Sequence, residues 1–159
     1  MTVYIGIDPG LNGAVAFFFP EQGHLSVLDM PTFEVKRNNK LKREINIPYL
    51  ASFIDEAIIG PDCKAVLERV GAMPGQGVSS VFSFGRSTGI VEGVLAALRV
   101  PVSIVTPQTW QKAAGVRGGK DGSRLRASEL FPNFAGLFAL KKHDGRADAA
   151  CMAWFAATR

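Results

Sequence analysis

Four carboxylates stand out by type and spacing. Asp8 closes the apolar run VYIGID, Glu68 closes CKAVLE, and Asp144 and Asp148 lie four residues apart in KKHDGRADAACMA. An apolar strand or helix accepts an ionised carboxylate only where a metal or another cation offsets its desolvation. Acids delivered by two strand ends and one helix can surround hard cations with oxygen ligands, and a substrate phosphate can complete the shell. That is the chemistry of a two-metal site acting on phosphodiesters. The expected cofactor is a pair of Mg2+ ions, with Mn2+ as a substitute.

Four helical positions turn about 400°, so Asp144 and Asp148 leave one face within roughly 40° of each other. Two acids so placed repel, and a divalent cation is the simplest counter-charge. Asp148 is the more telling, because its helical neighbours Cys151, Met152 and Phe155 are apolar and should face the core. Asp144, just before Gly145, suits a helix N-cap as well as a ligand. His143 is rotated by about 140° from Asp148 on a continuous helix, which suits packing or a role behind the ligands. The fourth ligand is thus open between His143 and Asp144. Taken singly, Glu68 could pair with Arg69 or Lys64, and Asp8 could close the PGLNG turn through an Asx bond. Their joint occurrence, in the order strand, strand, helix, favours the metal site.

The elements that must position these acids follow from periodicity. Strands are expected at 3–8, 13–19 and 24–29, joined by glycine-bearing turns into an antiparallel meander. The basic stretch KRNNKLKR reads as a loop. A helix begins at Pro48 and runs to about 59, ended by Gly60-Pro61. A strand at 64–69 and the glycine-rich GAMPGQG lead into a long helix from Ser79 to Leu98. A fifth strand follows at 102–105, then helices at 107–114, 122–131 and 145–157. This order predicts an α/β, ribonuclease H-like fold, with a five-stranded mixed sheet covered by helices on both faces.

At 159 residues and 17.1 kDa the chain has room for one domain, spanning 1–159. A net charge of +4 is only mildly basic, but 13 of the 18 Lys and Arg lie in residues 36–43, 112–126 and 141–146. Such clustering favours a nucleic-acid footprint over evenly solvated loops. Lys120, set among glycines at 118, 119 and 122, suits a mobile cation that reaches a phosphate; the bland alternative is an exposed loop lysine. Cys63 and Cys151 lie in apolar elements without zinc-like spacing and should be buried free thiols. The longest apolar run, AVAFFF, is too short to span a bilayer, and the chain starts directly with a strand, so a cytoplasmic location is expected.

With IGIDPG around Asp8, VLERV around Glu68 and KKHDGRAD around Asp144 and Asp148, the chain resembles the RuvC-type Holliday-junction resolvases. MPGQGVSSVFSFGRSTG at 73–89 and KDGSR at 120–124 make the likeness strongest to the chloroplast branch, and it covers nearly the whole chain. The resemblance implies a homodimeric endodeoxyribonuclease that resolves four-way DNA junctions by paired symmetric nicks, with the long helix from Ser79 at the dimer interface. A branch-migration motor is a candidate partner. Asp8, Glu68, Asp144 and Asp148 would hold the metal ions and Lys120 would stabilise the transition state. Gly75, Gln76 and Gly77 would enter the crossover and read bases. Arg86, Lys40, Lys42, Arg43, Lys141 and Lys142 would grip DNA, and of Phe82 and Phe84, which could stack on bases, at least one is expected in the core.

Bacterial resolvases commonly space their last two ligands three residues apart, whereas these acids are four apart, as in the chloroplast-like branch. The absence of a transit peptide points to a bacterial or phage protein. Two other classes share parts of the pattern. Actin-like and sugar-kinase phosphotransferases use a turn like IGIDPG for ATP but need a second domain, and a related nuclease could act on RNA.

Overall fold

The computed structural model describes residues 1–58 and 62–159. The apolar runs form the expected strands β1 (Val3–Asp8), β2 (Ala14–Phe19) and β3 (His24–Asp29). The tight turn between β1 and β2 is closed by Gly13 N donating to the Gly10 carbonyl at 2.9 Å, and the pairing is antiparallel from Asp8 opposite Ala14 to Tyr4 opposite Phe18.

Helix α1 (Ile47–Ala57) is capped by Asn46, whose side chain accepts from Tyr49 N, and carries Pro48 in its first turn. The Gly60-Pro61 stop expected for this helix lies outside the described residues. Strand β6 (Cys63–Glu68), helix α2 (Val78–Ala97) and strand β7 (Val102–Val105) follow. Helices α3 (Pro107–Ala114), α4 (Gly122–Leu130) and α5 (Asp144–Ala157) complete the chain. The sheet order is β3-β2-β1-β6-β7, with β6 parallel to both β1 and β7, so the predicted five-stranded mixed sheet is present.

Alternation along the strands divides the core in two. Ile5, Ile7, Phe17 and Leu67 pack with Leu50 and Ile54 of α1 and with Val91 and Leu95 of α2. Ala14, Ala16 and Val66 face the other way, against Trp110 of α3 and the small residues of α5. Small side chains let α5 lie directly on the sheet. A Cβ at Gly6 of β1 would stand 2.0 Å from the Ala149 carbonyl oxygen, and one at Gly145 would stand 2.5 Å from the Asn12 carbonyl oxygen.

The stretch KRNNKLKR is not the loop expected from its charges. It turns a hairpin of β4 (Thr32–Arg37) and β5 (Lys40–Ile45), which form a separate two-stranded sheet. Asn38 and Asn39 at its tip have φ of 50° and 58°, the left-handed pair that a two-residue hairpin turn requires and that asparagine tolerates. Most of this ribbon faces solvent on both sides, so it carries no apolar alternation by which to be recognised. Short 3-10 segments at 132–138 and 141–143 were also not expected, and α5 begins one residue early, at Asp144. Among the described residues no helix is long and apolar enough to cross a membrane.

Candidate active site

Strands β1 and β6 run parallel, with Ile7 opposite Leu67. Asp8 and Glu68 therefore leave the carboxyl ends of neighbouring strands at the same level, about 5 Å apart along the backbone. Asp8 also makes the Asx bond, its Oδ1 accepting from Gly10 N at 3.2 Å. The close seating of α5 on β1 brings Asp148 to these two acids.

The electrostatics record this proximity. Burial, opposed by the Gly10 amide, pushes the Asp8 carboxyl above its ordinary value. Burial, then Asp8 and Asp148, raise Glu68 to about 7. Asp148 is likewise raised to about 7 by burial, with Asp8 and Asp144 adding to the rise and Ser123 opposing it. Among the described residues Glu68 forms no ion pair with Arg69 or Lys64.

The four acids expected to surround hard cations do not form a closed ligand shell. Among the described residues no three His, Cys, Asp or Glu side chains lie close enough together to hold a metal ion. Mutual repulsion and competing partners account for the looser arrangement. Asp144 is half exposed and its Oδ1 accepts from Arg124 Nε at 3.0 Å. The same guanidinium also pairs with Asp121 and reaches the carbonyls of Phe138 and Ala139. Asp144 is the first residue of α5 and not its N-cap. That position belongs to His143, which is only 8% exposed and whose Nδ1 accepts from Leu140 N at 3.3 Å. Burial, Arg146 and Lys142 lower the His143 pKa. Asp8, Glu68 and Asp148 are hard oxygen donors whose ionisation burial penalises, and a hard divalent cation drawn between them would offset that cost.

A cleft of about 640 Å³ opens over Asp8, Asp144 and Asp148, which face Ser79, Ser83 and Ser87 of α2 and Arg43 of the hairpin; Glu68 does not line it. Phe84 lines this cleft beside Gly10, whereas Phe82 is 73% exposed. Neither phenylalanine joins the core, because the first half of α2 projects beyond the sheet and only Ser87, Val91, Val94 and Leu95 of the helix are buried. On the other side of Asp144 and Asp148, a cavity of about 310 Å³ is shared with Lys120, Arg117 and Ser123. A third cavity, of about 630 Å³, joins Arg43 to Lys141 and Lys142.

The remaining predicted contacts lie further out. Lys40 sits exposed at the hairpin turn, and Lys42 lines a groove with Phe82 and Arg86. Arg86 lies 3.9 Å from Glu44, which pairs with Arg37 at 2.8 Å. Gly75 to Gly77 form an exposed turn before α2. Gly75 has φ of 83°, and Gln76 folds back so that its Oε1 accepts from Met73 N at 2.9 Å. The sequence reading missed Arg124, the serines of α2 and Trp110. The i, i+4, i+8 spacing of Ser79, Ser83 and Ser87 was a usable signal, since it marks one helix face. No local signal pairs Arg124 with Asp144.

No family model matches the chain. Over 86 residues, 53% of this chain and 10% of the relative, the sequence is 34% identical to the chloroplastic Holliday junction resolvase MOC1 of Chlamydomonas reinhardtii. The match thus spans a tenth of that protein's length. Thermus thermophilus RuvC in complex with Holliday junction substrate superposes with a TM-score of 0.54 at 18% identity, covering 96% of this chain and 90% of that one. A second Thermus thermophilus RuvC structure gives 0.54 at 16% identity, covering 99% and 96%. The fold is therefore that of RuvC, the ribonuclease H-like arrangement implied by the order of the elements.

Proposed function

We propose that this protein is a RuvC-type, metal-dependent endonuclease, a single domain over residues 1–159 that resolves four-way DNA junctions by paired symmetric nicks. The observation that carries the reading is that Asp8 and Glu68 end neighbouring parallel strands at one level, that Asp8 and Asp148 line one open cleft, and that the charges of both act on Glu68. Sequence similarity to a resolvase and the RuvC fold support it from a separate direction.

In this reading Asp8, Glu68 and Asp148 hold the cofactor, and Asp144 joins them from the first turn of α5. Two bound Mg2+ ions, or Mn2+, would supply Lewis-acid stabilisation of the attacking and leaving oxygens during in-line displacement at phosphorus. Lys120, from the cavity beyond Asp144, offsets charge developing on the scissile phosphate. Arg43 meets the strand inside the cleft, and Lys40, Lys42, Arg86, Lys141 and Lys142 hold the arms through phosphates. Gly75, Gln76 and Gly77 contact bases at the crossover; for that, Gln76 must release Met73. The products are ligatable 5′-phosphate and 3′-hydroxyl ends. A two-fold dimer formed through α2 sets two sites against the junction's two equivalent strands, with a branch-migration motor as a further partner. The setting is the cytoplasm of a bacterial or phage-infected cell.

The test is nicking of four-way, three-way, duplex and RNA substrates in Mg2+ by wild-type, Asp8→Asn and Asp148→Asn proteins. Selective cutting of the four-way junction, lost in both variants while junction binding is kept, is the expected result. Full activity in either variant would sink the metal assignment. Preferential cutting of structured RNA would move the substrate to RNA, and ATP turnover without DNA would favour a phosphotransferase.

A further inference from the structure

Trp110 is fully buried, and its Nε1 has no hydrogen-bond partner among the described residues. An indole N–H enclosed without an acceptor is destabilising, and a wholly apolar ring at this place would avoid that cost. The chain path shows what the donor adjoins. Glu68 pairs with Val105 at the end of β7, and Arg69 N donates to the Val105 carbonyl at 2.6 Å. Thr106 then caps α3 through the Thr109 amide, and Trp110 N donates to the Thr106 carbonyl, one turn into the helix. Val66 belongs to the cluster that encloses Trp110, so Glu68, two residues further along β6, leaves the strand on that same face. The orphan N–H and the Glu68 carboxyl therefore lie on the same face of the sheet, where the indole opposes the burial that raises the carboxyl's pKa. The ring is packed among Val66 and residues of α5 and cannot swing out to another acceptor.

We propose that Trp110 is a positioning residue for the candidate metal site, its indole N–H poised to donate to the Glu68 carboxylate and so fix that side chain's orientation toward Asp8 and Asp148. The inference rests on the metal-dependent reading above. One Glu68 oxygen would accept the indole N–H hydrogen bond and the other would be left to face a cation, the arrangement by which hydrogen bonds behind a ligand hold its geometry. Removing such a partner typically weakens metal binding by about 10- to 100-fold.

The test measures Mn2+ uptake by electron paramagnetic resonance, without any nuclease assay, in the wild type and two proteins that lack the donor. One is Trp110→Phe. The other carries 3-benzothienylalanine at position 110 in a Trp154→Phe background, which keeps the ring's shape and replaces N–H with sulfur, so that loss of packing is not mistaken for loss of the bond. Both are expected to bind Mn2+ about 10- to 100-fold more weakly than matched proteins with tryptophan. In Trp154→Phe protein the one remaining indole N–H resonance should move downfield on Mg2+ addition, and Glu68→Ala should abolish that shift. Intact Mn2+ binding in the benzothienyl protein, or an indole signal that Mg2+ leaves unmoved, overturns the role of Trp110 alone. A wild-type protein that takes up no Mn2+ overturns the metal reading, and this role with it.

Discussion

A Cβ on Gly6 would meet the Ala149 carbonyl oxygen at 2.0 Å, so β1 and α5 touch backbone to backbone where Asp8 and Asp148 leave their elements. No flexible side chain stands between them to yield. Gly6→Ala is expected to lift α5 from the sheet and cost about 3 kcal/mol, toward the upper end for overpacking because the obstacle is main chain. Urea unfolding measures this. A wild-type midpoint would show that the helix does not depend on that contact.

The acidic site should destabilise the metal-free fold as pH rises. Asp8, Glu68 and Asp148 all have raised folded-state values, two of them near 7, against about 4 in an unfolded chain. Between those limits the folded state binds more protons than the unfolded one, so stability is greatest near pH 4 to 5 and is lost as pH rises through about 7. Asp29 works in the opposite sense: Arg146 bonds both its oxygens, at 2.6 and 2.7 Å, and lowers its pKa, so its contribution disappears in acid. Calorimetry of metal-free protein should show the melting temperature falling between pH 5 and 8, and Mg2+ restoring it at pH 8. Each kcal/mol moves Tm by about 2–4 °C at this chain length. A flat profile would mean the acids are fully solvated.

Asp148→Asn should separate stability from catalysis. The amide fills nearly the same space without a charge, removing an ionised group from a buried place beside Asp8. At pH 8 without metal the variant is expected to melt above wild type while losing nicking. A variant that melts lower would give Asp148 a structural role instead.

Lys42 lies on the exposed hairpin away from the acids. Lys42→Ala should weaken junction binding equally across arm sequences and reduce the slope of log affinity against log salt by about 1. Fluorescence anisotropy at several salt concentrations checks this, and an unchanged slope would remove Lys42 from the DNA-binding surface.

Much of the scaffold was legible because its signals are local. An acid that ends an apolar run, as Asp8 and Glu68 do, reports a strand end, and the 3.6-residue period of 145–157 places Asp148 on a core-facing helix. The hairpin at 32–45 escaped because a ribbon exposed on both faces buries too little to impose alternation. The short 3-10 turns escaped because they have no periodicity long enough to read.

What the sequence determined by itself is which acids are costly, since the price of an ionised carboxylate among apolar neighbours is written in those neighbours. Only the tertiary structure decided how each cost is met. Asp144 found Arg124, 20 residues away, while buried Asp8 was left to raise both Glu68 and Asp148 and Trp110 Nε1 was left without an acceptor among the described residues. Charge interactions and hydrogen bonds depend on distance through space, and that distance is set by the close seating of α5 on β1 and the turn of α3 over β7, neither of which any local run of residues encodes.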